Sequence, residues 1–438
     1  MSAAAPLERI AAAHAEVAPR LAGGAAWVRR RARALERLLA AGLPDRRDEN
    51  WKYLDHARLA SYPFESMALA ATAVQIPALP PLPLAGRRLT LINGRFEPAL
   101  CDAPEPGVDL TDLAALLARA PESALALLRE PDEDPDDRFA LLADAFAGSG
   151  ALIRVQTGTA PALPLCLTHV AAGENPAAHH ARLVIELGAG AQLLLVERFV
   201  GAGAAAVLGN LAAEIRLGPK ASLTHLRLHE HSAAAAQIET WTVRQEAGSR
   251  YEQHLLATGG ALLRSNLRLA LEGEAAECRL FGLFAADAGR QVDLSTRVDH
   301  LGAATRTEQE YRGMAADRGR GSFNGRIVVH ASARGADAMQ ASRNLLLSPL
   351  AAIDARPQLE IDTEEVRCRH GATVGSLDEH QLFYLRARGV PEAAARALLT
   401  WAFCAGLIGR LPLPALRAAA AERFAGALPD RALLGGLH

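Results

Sequence analysis

The chain has 438 residues and a mass of 46.3 kDa, which is more than one ordinary compact domain and indicates two or three structural units. Half of the residues are hydrophobic, 22% are charged and the formal net charge is −2, so the charge balance does not indicate a nucleic-acid partner. Five scattered cysteines without a CxxC pair argue against a disulfide framework or a structural zinc site, and favour a reducing compartment: Cys101, Cys166, Cys278, Cys368 and Cys404.

Neither a membrane-spanning segment nor a secretory signal is predicted. The longest uncharged run, residues 67–86, contains four prolines, which a spanning helix tolerates poorly. The first residues lack a basic segment followed by an apolar stretch. We therefore expect this run to be a proline-rich loop or linker, and the protein to be soluble and cytoplasmic.

Helices are predicted for the N-terminal region. Ala, Leu, Glu and Arg dominate residues 6–43, and apolar residues recur three or four positions apart. Gly23 and Gly24 split this stretch into two helices, and Pro44 ends it. A segment dense in charged and aromatic residues follows at 46–55.

The next segment is predicted to mix short strands and helices. A strand, an Asn–Gly turn and a second strand are predicted over residues 87–98. The pattern of residues 110–128 predicts a helix, and residues 131–137 predict an exposed acidic loop. A short helix is predicted to follow through Phe146.

The long middle of the chain is predicted to be β structure. From about residue 151, short runs of β-forming residues recur, and several alternate apolar with polar residues, which is the period of a strand. Gly188, Gly218 and Gly248 are spaced 30 residues apart. Such a repeat favours a solenoid, with a parallel β-helix as the natural candidate. A β-sandwich explains the strands almost as well.

Helix is predicted again after Gly375. Ser376 and Glu379 have the spacing of a capping box, with Ser376 as the N-cap. Gly389 suits the end of that helix, and Pro391 suits the first turn of the next. The predicted organisation has four parts: an N-terminal helical region with a proline-rich linker (1–86), a mixed α/β segment (87–150), a β core (151–375) and a C-terminal helical domain (376–438).

Motifs of common catalytic sites do not occur in the sequence. It contains no GxxxxGK[ST] phosphate loop, GxSxG elbow or HExxH helix, so we do not expect the chain to hydrolyse ATP by itself. The most informative local cluster is VRCRHGATVG, residues 366–375, in which Cys368 and His370 share one side of an extended segment. A thiolate beside an imidazole suits a soft metal such as iron or copper(I), or an activated thiol. A buried cysteine beside a hydrogen-bonded histidine is the alternative.

Two other groups of residues give weaker patterns. Three histidines lie at even spacing in a predicted strand: His225, His229 and His231. They fit a metal site on a solenoid face, although hydrogen-bonded or solvated surface histidines are more common. Tyr384 and Arg388 share a helix face, with Arg386 between them. They fit an interaction patch, although a solvated charged face is the more common explanation.

Residues 344–390 resemble the C-terminal region shared by the SufB/SufD family, the paired scaffold subunits of the Suf iron–sulfur cluster assembly system. The matching pieces are NLLLS, IDARPQLEI, CRHGATVG and LFYLRARGV. Weaker pieces lie upstream, among them RRDENWKYL, LINGRFEP, FALLADAF and FNGRIVV, so the resemblance covers most of the chain. ENWKY and INGRF resemble the SufD branch, and the β core lacks the additional cysteines and CxxC-like segment expected of the SufB branch.

The resemblance implies a right-handed parallel β-helix flanked by N-terminal and C-terminal helical domains, and a non-catalytic scaffold subunit. It implies pairing with a SufB-type subunit through the β-helix, docking of the SufC-type ATPase on residues 376–416, and a homodimer as an option for the chain alone. It also implies a transient iron–sulfur cluster shared with SufB and no nucleotide bound by this chain. Tyr384, Arg386 and Arg388 are then candidate partner-binding residues.

Site residues follow from the resemblance by position. His370 matches a histidine at the interface with SufB, where the nascent cluster forms, and Cys368 matches the cysteine of the same motif. One departure concerns residues 298–313, which lack the further histidines and cysteine that many relatives have after His300. The resemblance therefore does not assign a metal role to that loop, and its role stays open.

Two other functions remain as alternatives. A β-helix enzyme acting on polysaccharide needs clustered carboxylates near a basic residue, and Asp293 and Asp299 near Arg297 are the available set. The second alternative is a homodimeric structural adaptor without a metal contact. Co-purification of an ATPase subunit would separate both from the scaffold function.

Overall fold

A computed structural model describes residues 4–64, 84–128 and 137–427. The predicted proline-rich linker and the predicted acidic loop lie mostly outside these ranges. The α-helices are α1 Ala4–Val17, α2 Gly24–Ala41, α3 His56–Ala60, α4 Leu113–Arg119, α5 Pro121–Leu127, α6 Arg138–Ala145, α7 Glu379–Ala387, α8 Glu392–Ile408 and α9 Pro414–Ala427. Among the described residues, no helix is both long and apolar enough to cross a membrane.

The strands occupy most of the chain between α3 and α7. Their bounds are β1 Arg87–Ile92, β2 Arg95–Phe96, β3 Val108–Asp112, β4 Gly150–Val155, β5 Leu165–Ala172, β6 Ala177–Leu187, β7 Gln192–Ala202, β8 Val207–Leu217, β9 Ser222–Glu230, β10 Ala236–Gln245, β11 Arg250–Ala257, β12 Leu262–Leu271, β13 Glu277–Ala286, β14 Gln291–His300, β15 Arg306–Ala315, β16 Arg320–Val329, β17 Ala336–Leu346, β18 Ala352–Ile361 and β19 Val366–Gly375.

These strands form a two-sheet β-solenoid of about eight turns. Sheet I has ten strands in the order β19-β17-β15-β13-β11-β9-β7-β5-β1-β2, and sheet II has nine in the order β18-β16-β14-β12-β10-β8-β6-β4-β3. From β4 onward the chain alternates between the sheets, and each strand pairs in parallel with the strand two positions away, as β10 does with β8 and β12. The predicted solenoid is confirmed, and the sandwich alternative is wrong.

Equivalent residues of successive turns stack in the space between the sheets. In sheet II, one such stack runs through consecutive pairings of buried aliphatic side chains: Ile185, Ile215, Val243, Leu269, Val298 and Ile327. Each of these side chains contributes about 1.5–3 kcal/mol by leaving water. The repeat therefore stabilises the fold one turn at a time, as in other solenoids.

The first strands of both sheets come from the segment before residue 150. The predicted hairpin over 87–98 is present, with Asn93 and Gly94 both at positive φ in the turn. The single helix expected over 110–128 is wrong. Strand β3 extends to Asp112, whose carboxylate caps α4 by accepting from the amides of Ala114 and Ala115, and Pro121 then begins the separate helix α5.

The segment after α2 runs along the outer side of sheet II. The side chain of Gln291 binds it twice, accepting from the Asp55 amide at 2.8 Å and donating to the Tyr53 carbonyl at 2.6 Å. The Tyr62 hydroxyl donates to the Ala234 carbonyl at 3.0 Å. Trp51 lies under the guanidinium group of the buried Arg264, 4.4 Å from the ring centre. This segment therefore contacts several turns of the solenoid.

The C-terminal helices cover part of the outer face of sheet I. Cys404 of α8 packs against Met314 with the sulfur atoms 3.2 Å apart, and burial raises the pKa of this thiol to about 12. The predicted capping box is wrong in one respect, because Asp378 rather than Ser376 is the N-cap of α7 and accepts from the His380 amide. Gly389 follows the helix at positive φ, as predicted.

Candidate functional site

The strand that carries Cys368 and His370 is the last of sheet I. Strand β19 pairs with β17 on one side only, and most of its residues are exposed. The sequence gives little indication that β19 is an edge strand, because its composition is that of an ordinary strand. Strand β19 therefore leaves one row of backbone groups and several side chains uncovered at the edge of the sheet.

Cys368 and His370 differ in their surroundings although they lie on the same face of β19. Cys368 is half-buried against the solenoid core, and burial raises the pKa of its thiol above the ordinary value, assisted by the charge of Asp337 and opposed by a backbone hydrogen bond at Ala338. His370 is exposed. The pair thus consists of a protonated thiol and an accessible imidazole, and the thiol becomes a ligand only by losing its proton.

A hydrogen-bonded set of polar side chains runs inside the solenoid toward His370. Gln340 is paired with His370 in the parallel register of β17 and β19. Its Nε2 donates to Gln309 Oε1 at 2.6 Å, and Gln309 Nε2 donates to Thr296 Oγ1 at 2.6 Å. The Oε1 atom of Gln340 is buried and has no hydrogen-bond partner among the described residues. A polar acceptor therefore lies one rung below His370.

The same set continues into the deeper turns, and we call it the axial polar chain. Gln309 also hydrogen-bonds Tyr311, whose hydroxyl lies 3.5 Å from Gln253 Nε2. The Tyr251 hydroxyl lies 3.3 Å from Gln253 Oε1 and 3.1 Å from His225 Nδ1. The sequence analysis did not identify these interior residues, because an alternating pattern does not reveal which face of a strand is buried.

The deep end of the axial polar chain is charged. Glu197 accepts from Nε2 of His169 at 2.6 Å and of His225 at 2.8 Å. Burial alone would raise the pKa of Glu197, but these two hydrogen bonds outweigh it and hold the pKa at about 2. Nearby, the buried Arg227 forms an ion pair with Glu239 and lies over the Trp241 ring, 4.5 Å from its centre. Glu197 is therefore ionised in the core at neutral pH.

Comparisons with known proteins agree with this architecture. A family profile described as "SUF system FeS cluster assembly, SufBD core domain" matches residues 169–403, which is more than half of the chain. The chain belongs to the SufBD family.

Relatives from several bacteria match the chain. It is similar to the iron-sulfur cluster assembly protein SufD of Escherichia coli, with 32% identity over 404 residues that cover 91% of this chain and 92% of the relative. A SufBD family protein of Synechocystis, slr0076, is 28% identical over 404 residues, covering 89% and 88% of the two chains. The SufD protein of Bacillus subtilis is 28% identical over 215 residues, 48% of each chain.

The three histidines at even spacing are all inside this SufBD solenoid, so their interpretation as surface residues is wrong. His225 belongs to the axial polar chain, whereas both ring nitrogens of His229 and of His231 are buried without hydrogen-bond partners in the described structure. Burial lowers the pKa of His229 well below its usual value and that of His231 to about 3. Within the described ranges, no three His, Cys, Asp or Glu side chains are arranged to hold a metal ion.

The loop after His300 is also structural. His300 is buried, and its two ring nitrogens lie 2.8 Å from the hydroxyls of Thr305 and Thr307. Burial lowers its pKa to about 4. The two carboxylates that a polysaccharide-degrading enzyme would need are in ion pairs. Asp293 pairs with the buried Arg264, and Asp299 pairs with Arg297. Neither forms an open pair of acids.

The first C-terminal helix presents an aromatic patch. Tyr384 is 57% exposed, and the Arg388 guanidinium lies over its ring, 5.0 Å from the centre. Arg386 instead pairs with Glu392 at 3.5 Å. Phe383 is 72% exposed and was not singled out from the sequence, since an apolar residue in an amphipathic helix is ordinarily expected to be buried. Phe383, Tyr384 and Arg388 form the α7 patch.

Proposed function

We propose that this member of the SufBD family is the SufD-type scaffold subunit of a SufB–SufC–SufD complex. In this complex it pairs with a SufB-type subunit through the last turn of the solenoid, and a SufC-type ATPase docks on its C-terminal helices. Its role is to hold part of the site on which an iron–sulfur cluster is built, in the cytoplasm. The matches to SufD proteins over most of the chain support this assignment.

The open end of the solenoid supports the place of the SufB contact. Among the residues that the structure describes, β19 has no strand partner beyond β17, and β18 ends sheet II in the same turn. Large apolar side chains are exposed here, including Leu350 at 67%, Val374 at 46% and Ile361 at 44%. Exposed apolar groups beside an unpaired strand are typical of a surface that another chain covers. A second copy of this chain would use the same surface when SufB is absent.

His370 is the observation that carries the proposed chemistry. It is an exposed imidazole on that end strand, two residues from a thiol, so it is accessible to a cluster held between two subunits. A neutral imidazole is a suitable iron ligand beside thiolates. Cys368 would add a second ligand after losing its proton. Two ligands are fewer than the roughly four that hold a stable cluster, so a SufB-type subunit must supply the others.

The test is a single substitution in the assembled complex. His370→Ala should leave the three subunits associated and abolish the iron and acid-labile sulfide that accumulate on the complex during reconstitution. The matched control is His330→Ala, a half-buried histidine immediately after β16 whose partner is Asp299. Normal iron and sulfide content in the His370 variant would show that this residue is not a ligand.

The absence of nucleotide-binding motifs supports a non-catalytic role for the isolated chain. The ATPase activity is then supplied by the SufC-type partner, and purification of the complex should recover that subunit together with this chain. Recovery of the chain only as a homodimer, from cells that contain the ATPase, would favour the structural adaptor.

A further inference from the structure

A pocket of about 480 Å³ lies where the N-terminal segment after α2 meets sheet II of the solenoid. His370 is not among its lining residues. Its floor is fixed by the two hydrogen bonds of Gln291 to the backbone at Tyr53 and Asp55. The Arg58 side chain adds two more, donating to the carbonyls of Ala261 at 3.0 Å and Gly289 at 2.7 Å. The volume is typical of a small-molecule site, and the floor is held in place before any ligand arrives.

The walls of this pocket are cationic. Arg46 and Lys52 come from the N-terminal segment, Arg318 comes from the turn between β15 and β16, and Arg320 is the first residue of β16. Two carboxylates also line the pocket, those of Asp354 and of Asp55, and the second caps α3. With Arg58 included, the lining contains five cations and two carboxylates, which is an excess of three positive charges, although the whole chain has a net charge of −2.

These cations differ from the other arginines along sheet II. In a second groove on the same sheet, the guanidinium groups are paired with carboxylates: Arg244 with Glu272, Arg268 with Asp137, and Arg297 with Asp299. In the described part of the chain, the guanidinium groups of Arg46, Arg318 and Arg320 donate to no acceptor. Like charges facing each other across a pocket repel, and a bound anion removes that cost.

We propose that this pocket binds a small oxyanion with at least two negative charges, carried by phosphate or carboxylate groups. Guanidinium groups recognise both groups through paired N–H donors, and Lys52 adds a point charge. The anion lies between the two cationic walls and joins the N-terminal segment to the last turns of the solenoid. Asp354 lies close enough to Lys52 and Arg320 to interact with both, so it offsets part of their charge and leaves Arg46 and Arg318 as the main contacts for an anion. This site does not depend on the function proposed for His370.

The test is calorimetric titration of the purified full-length chain with pyrophosphate and, separately, with citrate. At least one should bind saturably with one site per chain, and the one that binds identifies the phosphate or the carboxylate source. The double variant Arg46→Gln/Arg318→Gln should weaken binding about tenfold for each guanidinium removed. Asp354→Asn should strengthen it, because the opposing charge is removed.

The matched control is Arg250→Gln/Arg279→Gln, which removes two exposed cations elsewhere on the solenoid. Its affinity should stay within about twofold of the unmodified chain, since exposed charges have weak effects at a distance. Equal losses in the two double variants would show nonspecific charge attraction and overturn the proposal. The proposal would also be wrong if neither pyrophosphate nor citrate bound saturably. Binding of an oligoglutamate peptide in their place would not rescue it.

Discussion

The charged groups of the solenoid core have a clear energetic role at the scale of single residues. Arg227 and Glu239 are fully buried, and each is the other's closest ionic partner. Taking such a pair out of water is costly, so a paired arrangement is weakly stabilising at best, whereas a single unpaired charge is strongly destabilising. Removing one member of the pair should therefore change the free energy of unfolding much more than removing both.

Glu239→Leu should lower the free energy of unfolding by about 3–5 kcal/mol, because the buried Arg227 guanidinium then keeps only the more distant Glu197, at 4.0 Å, which already accepts from two histidines. The double variant Arg227→Met/Glu239→Leu should recover most of that loss. Urea unfolding measures both. Glu360→Leu, which removes the partner of Arg326 from an exposed ion pair, is the control and should cost at most about 1 kcal/mol. A double variant as unstable as the single one would contradict the argument.

Polar residues inside the solenoid limit what can be predicted from the sequence. Gln253, Gln309 and Gln340 occupy core positions of sheet I that an alternating pattern assigns to solvent. The predicted strands were correct. The sequence did not show which face of each strand is buried, because polar residues hydrogen-bond each other inside the solenoid. Cys368 and His370 could be singled out as candidates because they lie in one short motif, whereas the axial polar chain joins residues of several turns and has no local signature.

At the scale of elements, the C-terminal helices combine two roles. Their inner side covers apolar residues of sheet I, among them Leu283 and Met314, while the α7 patch faces solvent. Deleting residues 376–438 would therefore expose part of the sheet and test folding as much as docking. Substitutions confined to the α7 patch separate the two.

Phe383→Ser/Tyr384→Ser should weaken binding of the SufC-type ATPase at least about tenfold, because exposed aromatic residues are typical interface anchors. Binding is measured with purified subunits by calorimetry. The control is Val28→Ser, which changes an exposed apolar residue of α2. Unfolding midpoints should be unchanged in both variants. Unaltered ATPase affinity in the double variant would show that the ATPase docks elsewhere.

At the scale of the whole molecule, buried histidines determine the response to pH. Burial lowers the pKa of His179 and His231 to about 3 and that of His180 to about 4. Their ordinary value of about 6.5 applies in the unfolded chain. Between these values the unfolded chain binds more protons, so stability is complete above about pH 6.5 and falls as the pH is lowered.

The urea midpoint should accordingly fall steeply from pH 6.5 to pH 5, before most carboxylates titrate. Each such histidine contributes a slope of about 1.4 kcal/mol per pH unit in this window. His231→Gln should reduce the slope by one histidine's share, whereas His380→Gln, on an exposed surface, should not change it. A midpoint that is constant between pH 7.5 and pH 5 would contradict the neutral buried state of these residues.

The N-terminal segment along sheet II has a consequence for the order in which the protein is made. Asp55 is separated from Gln291 by 236 residues, and Asn50 from its partner Asn324 by 274. A solenoid can fold turn by turn while the ribosome extends it, because each turn needs only the one before. These hydrogen bonds cannot form until the later strands have been synthesised. The segment after α2 therefore makes these contacts long after its own synthesis, and during that interval it is available to chaperones.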